Sequence, residues 1–446
     1  MENMFYLLNI SVSGIKCIKE EVRLDFYKKT VDKNFNSEKY RVKAIYGENG
    51  SGKSALVTAV KIFQDLILND NYLNESKTQE FLDEIINKTS KILRVQLEFL
   101  VNFDDGKIVY QYVVHIGRGM SGLYEIQYEG LKCKNGNYAN NKYYTVFECQ
   151  NGELNSTSCT EEEKGWIEKK TINLLSAHSF VYLYLINKNA LQNTPSEEKT
   201  DNGFFISVFA CLVLALSLKV YLAEEDQHEL YFLRKKLKDN KLGQQVSADG
   251  GFIQENKLNE TLGVNEKYVD KENFDTYKKE VVRLTQFIKI FKPNLKAIDI
   301  DAKEDGERYV CELNLNYGEY IINREFESTG IKKLIGLFDC FSFASKGGIV
   351  FIDEMDANLN DVYLCKLIEY FMYYGKGQLC FTTHNIGPMS ALKENKNSID
   401  FLSSDNHLIP WTSRGNATPE NCYRNGMIED LPFNIEASDF VGIFGE

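Results

Sequence analysis

The chain has 446 residues, 43% of them hydrophobic and 26% charged, with 6 Pro; this globular composition excludes a disordered chain and leaves ample length for a core. Asp and Glu number 64 against 52 Lys and Arg, a formal net charge of −12, which excludes a protein that coats nucleic acid with its whole surface but not one with a local basic groove. Ten cysteines are scattered and the five His do not gather near them, so no zinc site is expected and the thiols read as reduced and mostly buried, as in the cytoplasm.

The N-terminal stretch has no basic segment followed by a long apolar run, so no signal peptide is expected. Residues 5–12 and 21–26 read as short strands joined by a Gly-containing turn, and 41–46 as a third strand that runs into a Gly-rich loop. From Lys53 to Leu68, Leu56, Val60, Phe63 and Ile67 share one helical face. Residues 93–101, 108–116 and 124–128 alternate apolar with polar side chains, the pattern of an antiparallel meander.

Between about 160 and 292 the pattern is helical. Gly203 to Leu218 carries no charge over 16 residues, short of the ~20 that a membrane span needs. Lys219 and the acidic Glu224, Glu225 and Asp226 then end it, so it reads as a buried core helix and no membrane is expected. Phe274, Tyr277, Val281, Leu284, Ile288 and Phe291 form one stripe on a helix stopped by Pro293, too short for a long coiled coil. Residues 239–265 read as a loop or lid. Strands resume at 297–301, 308–315 and 319–323. The alternation of a helix (330–344), an apolar strand (348–352), a helix (362–374) and a strand (378–382) marks a parallel sheet covered on both faces.

Gly47-Glu48-Asn49-Gly50-Ser51-Gly52-Lys53-Ser54, followed by Ala55, fits GxxxxGK[ST] between a predicted strand and a predicted helix. Such a loop turns successive N–H groups onto phosphate oxygens at a helix N-terminus. Lys53 is placed for the β- and γ-phosphates and Ser54 for Mg²⁺. Far along the chain, the apolar strand Ile349–Ile352 ends in Asp353 and Glu354. Asp353 suits a metal-bound water and Glu354 suits the general base that polarises an attacking water. His384, after the strand 378–382, is a surface loop histidine if taken alone; beside these motifs it reads as a γ-phosphate contact.

Together these residues resemble an ABC/SMC-type ATPase head, and more narrowly the bacterial AAA-15/AAA-21 ATPases related to OLD-family proteins. NISVSGIKCIKEEVRLDF is similar to that group's first strands. Phe326-Glu-Ser328-Thr329-Gly330-Ile-Lys332-Lys333-Leu resembles its signature motif, and IDEMDANLN its joined Walker B and D-loop. Thr329 stands where transporter-type signatures carry Gly, and Asn360 where many relatives carry His. Gln96, in a strand, is not assigned as a Q-loop residue.

The resemblance implies an α/β fold: a P-loop NTPase of ABC-ATPase type with a mixed-sheet core, an antiparallel β subdomain and an inserted helical subdomain. The expected division is 1–70 with 295–446 as a split core, 71–160 as the β elaboration and 161–294 as the helical insertion. It also implies ATP and Mg²⁺ sandwiched in a head-to-tail dimer or larger assembly. Ser328, Thr329 and Gly330 of one copy would then face the nucleotide held by Lys53 of the other, with Asp356 near their interface. With 62 residues after His384, a following TOPRIM nuclease domain is not expected. Relatives of this shape resemble ATPase subunits of anti-phage defence systems (PARIS, Septu and retron-associated types), which control a separately encoded nuclease or toxin. The alternative is a cytoplasmic SMC-like DNA-maintenance ATPase that clamps DNA. Asp299 and Asp301 at a strand end are read as ordinary strand-end acids, and the C-terminal acids Glu429, Asp430, Glu436, Asp439 and Glu446 as a solvated surface.

Overall fold

The computed structural model describes residues 5–103, 106–188, 202–222, 267–393, 395, 397–412, 417–428 and 443. The segment 239–265 and the C-terminal acids from Glu429 onward lie outside them. The chain divides into two compact units, one of residues 1–222, 343–356 and 364–446 and one of 223–342 and 357–363.

The first unit begins with β1 (Phe5–Ser13), β2 (Val22–Asp25) and β3 (Val42–Gly47), followed by α1 (Lys53–Leu68) and α2 (Ser76–Ile85). Then come β4 (Ile92–Phe103), β5 (Gly106–Arg118), β6 (Tyr124–Asn135), β7 (Tyr144–Gln150) and β8 (Glu153–Thr157). Among the described residues these strands, without β3, form a 7-stranded antiparallel sheet in the order β2-β1-β4-β5-β6-β7-β8. The antiparallel pairing continues into β7 and β8, but the period-2 pattern breaks in β7, where adjacent Val146 and Phe147 are both buried at a register shift against β6.

After α3 (Glu161–Thr171) and α4 (Phe180–Asn187), the uncharged run forms α5 (Asn202–Ser217). Phe204, Val208, Cys211, Leu214 and Ala215 of α5 lie in the core, and no described helix is long and apolar enough to cross a membrane. The run does not end as a helix, however. Leu218–Tyr221 is a strand, β9, although the sequence pattern makes the whole region helical. An apolar run without periodicity leaves helix and strand undecided; here parallel pairing decides it.

In the second unit β10 (Lys267–Asp270), β11 (Ala297–Asp305), β12 (Arg308–Asn316) and β13 (Ile321–Asn323) make a small antiparallel sheet centred on β12. The helix Phe274–Phe291 buries Tyr277, Val281, Leu284 and Ile288, the stripe read from the sequence, in one cluster with Ile298, Leu313 and Leu315.

The first unit resumes with β14 (Ile349–Ile352), β15 (Gln378–Thr382), β16 (Ile399–Leu402) and β17 (Leu408–Pro410). Among the described residues they form, with β3 and β9, a 6-stranded sheet, β17-β16-β3-β15-β14-β9, parallel except for β17. Its central strands are buried throughout, as helix-covered parallel strands must be. α1 buries residues around its whole circumference and shares one core with both sheets of this unit. Two buried polar contacts tie strands together, one within this sheet and one between the two sheets of the unit. Lys43 of β3 and Asp400 of β16 form an ion pair of 2.7 Å with both side chains at most 2% exposed. Gln378 on β15 accepts from Leu7 N–H at 2.7 Å and donates to Leu7 C=O at 2.9 Å, where the register of β1 against β4 shifts.

Candidate functional site

The Gly-rich loop leaves the C-terminal end of β3 and enters α1 at Gly52, the N-cap residue, which has φ +106°. A side chain there would be strained, and its Cβ would stand 2.8 Å from Ile18 Cγ1. Lys53, buried, folds back and donates to the carbonyls of Gly47 (2.9 Å) and Glu48 (2.7 Å). Cys17 Sγ donates to Gly50 C=O at 3.1 Å and Asn406 Nδ2 to Ser51 C=O at 3.1 Å. Ser51 N–H donates within the loop to Glu48 C=O at 3.3 Å; with four loop carbonyls engaged, the exposed loop tip and the start of α1 present N–H groups suited to an anion. Ser54 is half-buried in the first turn of α1, followed by buried Ala55; Asn49 and Gly50 are exposed at the loop tip.

The carboxylates arrive on β14, between β9 and β15. Asp353 is fully buried, its N–H donates to Tyr221 C=O at 2.9 Å, and its Oδ1 accepts from Thr382 Oγ1 at 2.5 Å. Glu354 has φ +47°, an uncommon conformation for a residue with a side chain. Its N–H donates to Thr382 Oγ1 at 2.7 Å.

Asp353, Glu354 and Asp356 all act on Lys53. Burial pushes its ammonium down to about 8, against the upward pull of these three carboxylates. His384, just beyond β15, is drawn below its ordinary value, first by desolvation and then by the Lys53 ammonium, while Asp356 and Asp353 pull it up. The loop, Lys53, both strand-end carboxylates, Asp356 and His384 therefore share one site in the first unit.

Among the described residues Asp353 Oδ2 and Asp356 Oδ1 are buried without a hydrogen-bond partner. A buried acceptor left unpaired calls for a cation or an ordered water. Asp353 with the Ser54 hydroxyl makes an all-oxygen donor set suited to Mg²⁺; these residues fit the expected metal.

Ser328, Thr329 and Gly330 lie in the second unit, at the start of the helix Thr329–Ser345. Ser328 and Thr329 are exposed, and Ser328 C=O accepts from Lys332 N–H. A Cβ on Gly330 would come 2.5 Å from Asn358 C=O, so glycine lets the backbone at Asn358 approach this helix closely.

Thr382, Asn406 and Tyr221 are site neighbours that the sequence motifs do not mark, and Cys17, though inside the run 9–26, has no role assigned from it. Each works through one hydrogen bond to another segment or a few, and no local pattern encodes that.

No protein-family model matches the chain. It is similar to the DNA double-strand break repair Rad50 ATPase of Methanocaldococcus jannaschii, 39% identical over 111 residues, 24% of this chain. The chain matches only 10% of that protein's own length. With the mixed α/β architecture, which is compatible with a P-loop ATPase, the match supports a relationship at the level of SMC/ABC-type ATPases.

Proposed function

We propose that the protein is an ATP-binding and ATP-hydrolysing switch. The observation that carries this reading is the meeting of Lys53 with Asp353 and Glu354, about 300 residues apart in sequence, at the end of one parallel sheet. In this reading the N–H groups of 47–52 and the first turn of α1 bind the phosphates, and Lys53 exchanges its loop carbonyls for phosphate oxygens. Ser54 and Asp353 would hold Mg²⁺, which when bound neutralises phosphate charge. Glu354 takes a proton from the water that attacks the γ-phosphorus as the bond to the β-phosphate oxygen breaks. His384, largely neutral near pH 7 because its pKa is lowered, offers a hydrogen bond to the γ-phosphate. Ser328, Thr329 and Gly330 of a second copy complete the site in a head-to-tail dimer, with Asp356 near the contact. Lys53→Ala and Glu354→Gln are each expected to lower kcat by about 10²-fold or more; unchanged turnover in both would sink the assignment.

For the partner there are two readings. The Rad50 similarity favours an SMC-like ATPase that acts on DNA. The narrower AAA-15/AAA-21 resemblance points to an anti-phage sensor that controls a nuclease or toxin, and rests on the quoted motifs alone. ATP-dependent binding of duplex DNA by the isolated protein supports the first; purification with an effector and no DNA binding supports the second.

A further inference from the structure

We infer that Thr382 is the positioning residue of the hydrolytic centre, one hydroxyl that fixes both the free oxygen of Asp353 and the backbone from which Glu354 projects. The inference rests on the ATPase reading and deepens it. β14 ends at Ile352 and the chain turns immediately, carrying Asp353, Glu354 and Met355 past the end of β15. Thr382, the last residue of β15, is fully buried there. A threonine hydroxyl has one proton to give and two lone pairs to receive. Its proton goes to Asp353 Oδ1 (2.5 Å) and it receives the Glu354 N–H (2.7 Å). Its own carbonyl receives the Met355 N–H at 3.0 Å. Three successive residues of the carboxylate turn thus hang on one threonine.

Two consequences follow from the geometry. Asp353 has one oxygen engaged by Thr382, and its other oxygen, Oδ2, is the buried acceptor without a hydrogen-bond partner among the described residues. The hydroxyl thereby selects which oxygen is left for the metal side. Glu354 is held at φ +47°, a left-handed conformation that is strained for a residue with a Cβ. Such strain persists where the surroundings over-determine it, and the bond from Glu354 N–H to Thr382 Oγ1 is one such constraint. Without it the turn is free to relax, and the direction of the Glu354 carboxylate changes with it. Thr382 touches neither nucleotide nor water in this scheme; it acts through the two carboxylates.

The test compares Thr382→Val, which keeps shape and removes the hydroxyl, with Thr382→Ser, which restores it. Three quantities are read: kcat, the Kd for ATP, and the Mg²⁺ concentration at half-maximal nucleotide-dependent thermal stabilisation. For Thr382→Val, kcat is expected to fall by about 10²-fold, the size associated with a misplaced catalytic group. The Kd for ATP should stay within about 3-fold, and the half-maximal Mg²⁺ concentration should rise several-fold, while Thr382→Ser stays close to the unmodified protein in all three. If Thr382→Val does not fold, Thr382→Ala removes the same hydroxyl without added bulk and takes its place. Unchanged kcat without the hydroxyl, or a serine variant as impaired as the valine variant, overturns the inference. So does loss of ATP binding in step with kcat, which signals a collapsed site. Absence of hydrolysis by the unmodified protein would instead refute the ATPase reading itself.

Discussion

In the proposed site Lys53 is buried and has to be charged to hold a phosphate. Burial pushes its pKa down to about 8, against the pull of Asp353, Glu354 and Asp356. The unfolded lysine titrates near 10.5. Between about pH 8 and 10.5 the unfolded chain therefore binds more protons at this site, and Lys53 makes stability rise with pH across that window. Nucleotide binding has the opposite sign. A phosphate favours the ammonium, so above about pH 8 binding must take up a proton and affinity falls as pH rises. Titration of ATP against the protein is expected to show Kd rising several-fold between about pH 7 and 9, with the slope lost in Lys53→Arg, whose guanidinium stays charged. A flat profile in the unmodified protein would show that Lys53 does not change protonation on binding. The motif made Lys53 legible in the sequence; its depressed pKa was not, because burial is a property of the packed site.

At the scale of elements, the strongly periodic segments were readable. The face of α1 with Leu56, Val60, Phe63 and Ile67 and the stripe on the helix Phe274–Phe291 are buried as their spacing requires. β9 was not readable, since Leu218–Tyr221 becomes a strand by pairing with Ile349–Ile352, far away in sequence. Gln378 shows the same limit for a side chain. It begins a strand whose next three residues are apolar, yet its amide completes the hydrogen bonding of Leu7 in the other sheet of the unit. Gln378→Ala leaves a buried N–H and a buried C=O unpaired, and is expected to cost about 3 kcal/mol of unfolding free energy. Urea denaturation reads this directly; a loss below about 1 kcal/mol would mean that Leu7 finds other partners.

For the whole molecule, the −12 net charge bears on partners more than on fold. If two copies close head to tail, Glu354→Gln should accumulate the ATP-bound pair, because nucleotide is held but not turned over. Light scattering is expected to show mass doubling with ATP in Glu354→Gln and monomer in Lys53→Ala; a Glu354→Gln monomer at saturating ATP would overturn the dimer. DNA binding by that trapped species should weaken steeply with salt if a local basic groove carries it. Binding indifferent to salt would count against such a groove.

The Gly-rich loop of 47–54, the carboxylates that end β14 and the helix–strand alternation around them are readable from the amino-acid order, because each is written in a short window as spacing or periodicity. That β9 flanks the carboxylate strand, that Gln378 joins two sheets and that Thr382 bonds both Asp353 and Glu354 emerges when the chain packs. Those outcomes depend on hydrogen bonds between residues from about 30 to more than 350 positions apart, and a buried polar group takes whichever partner the packed chain brings within reach.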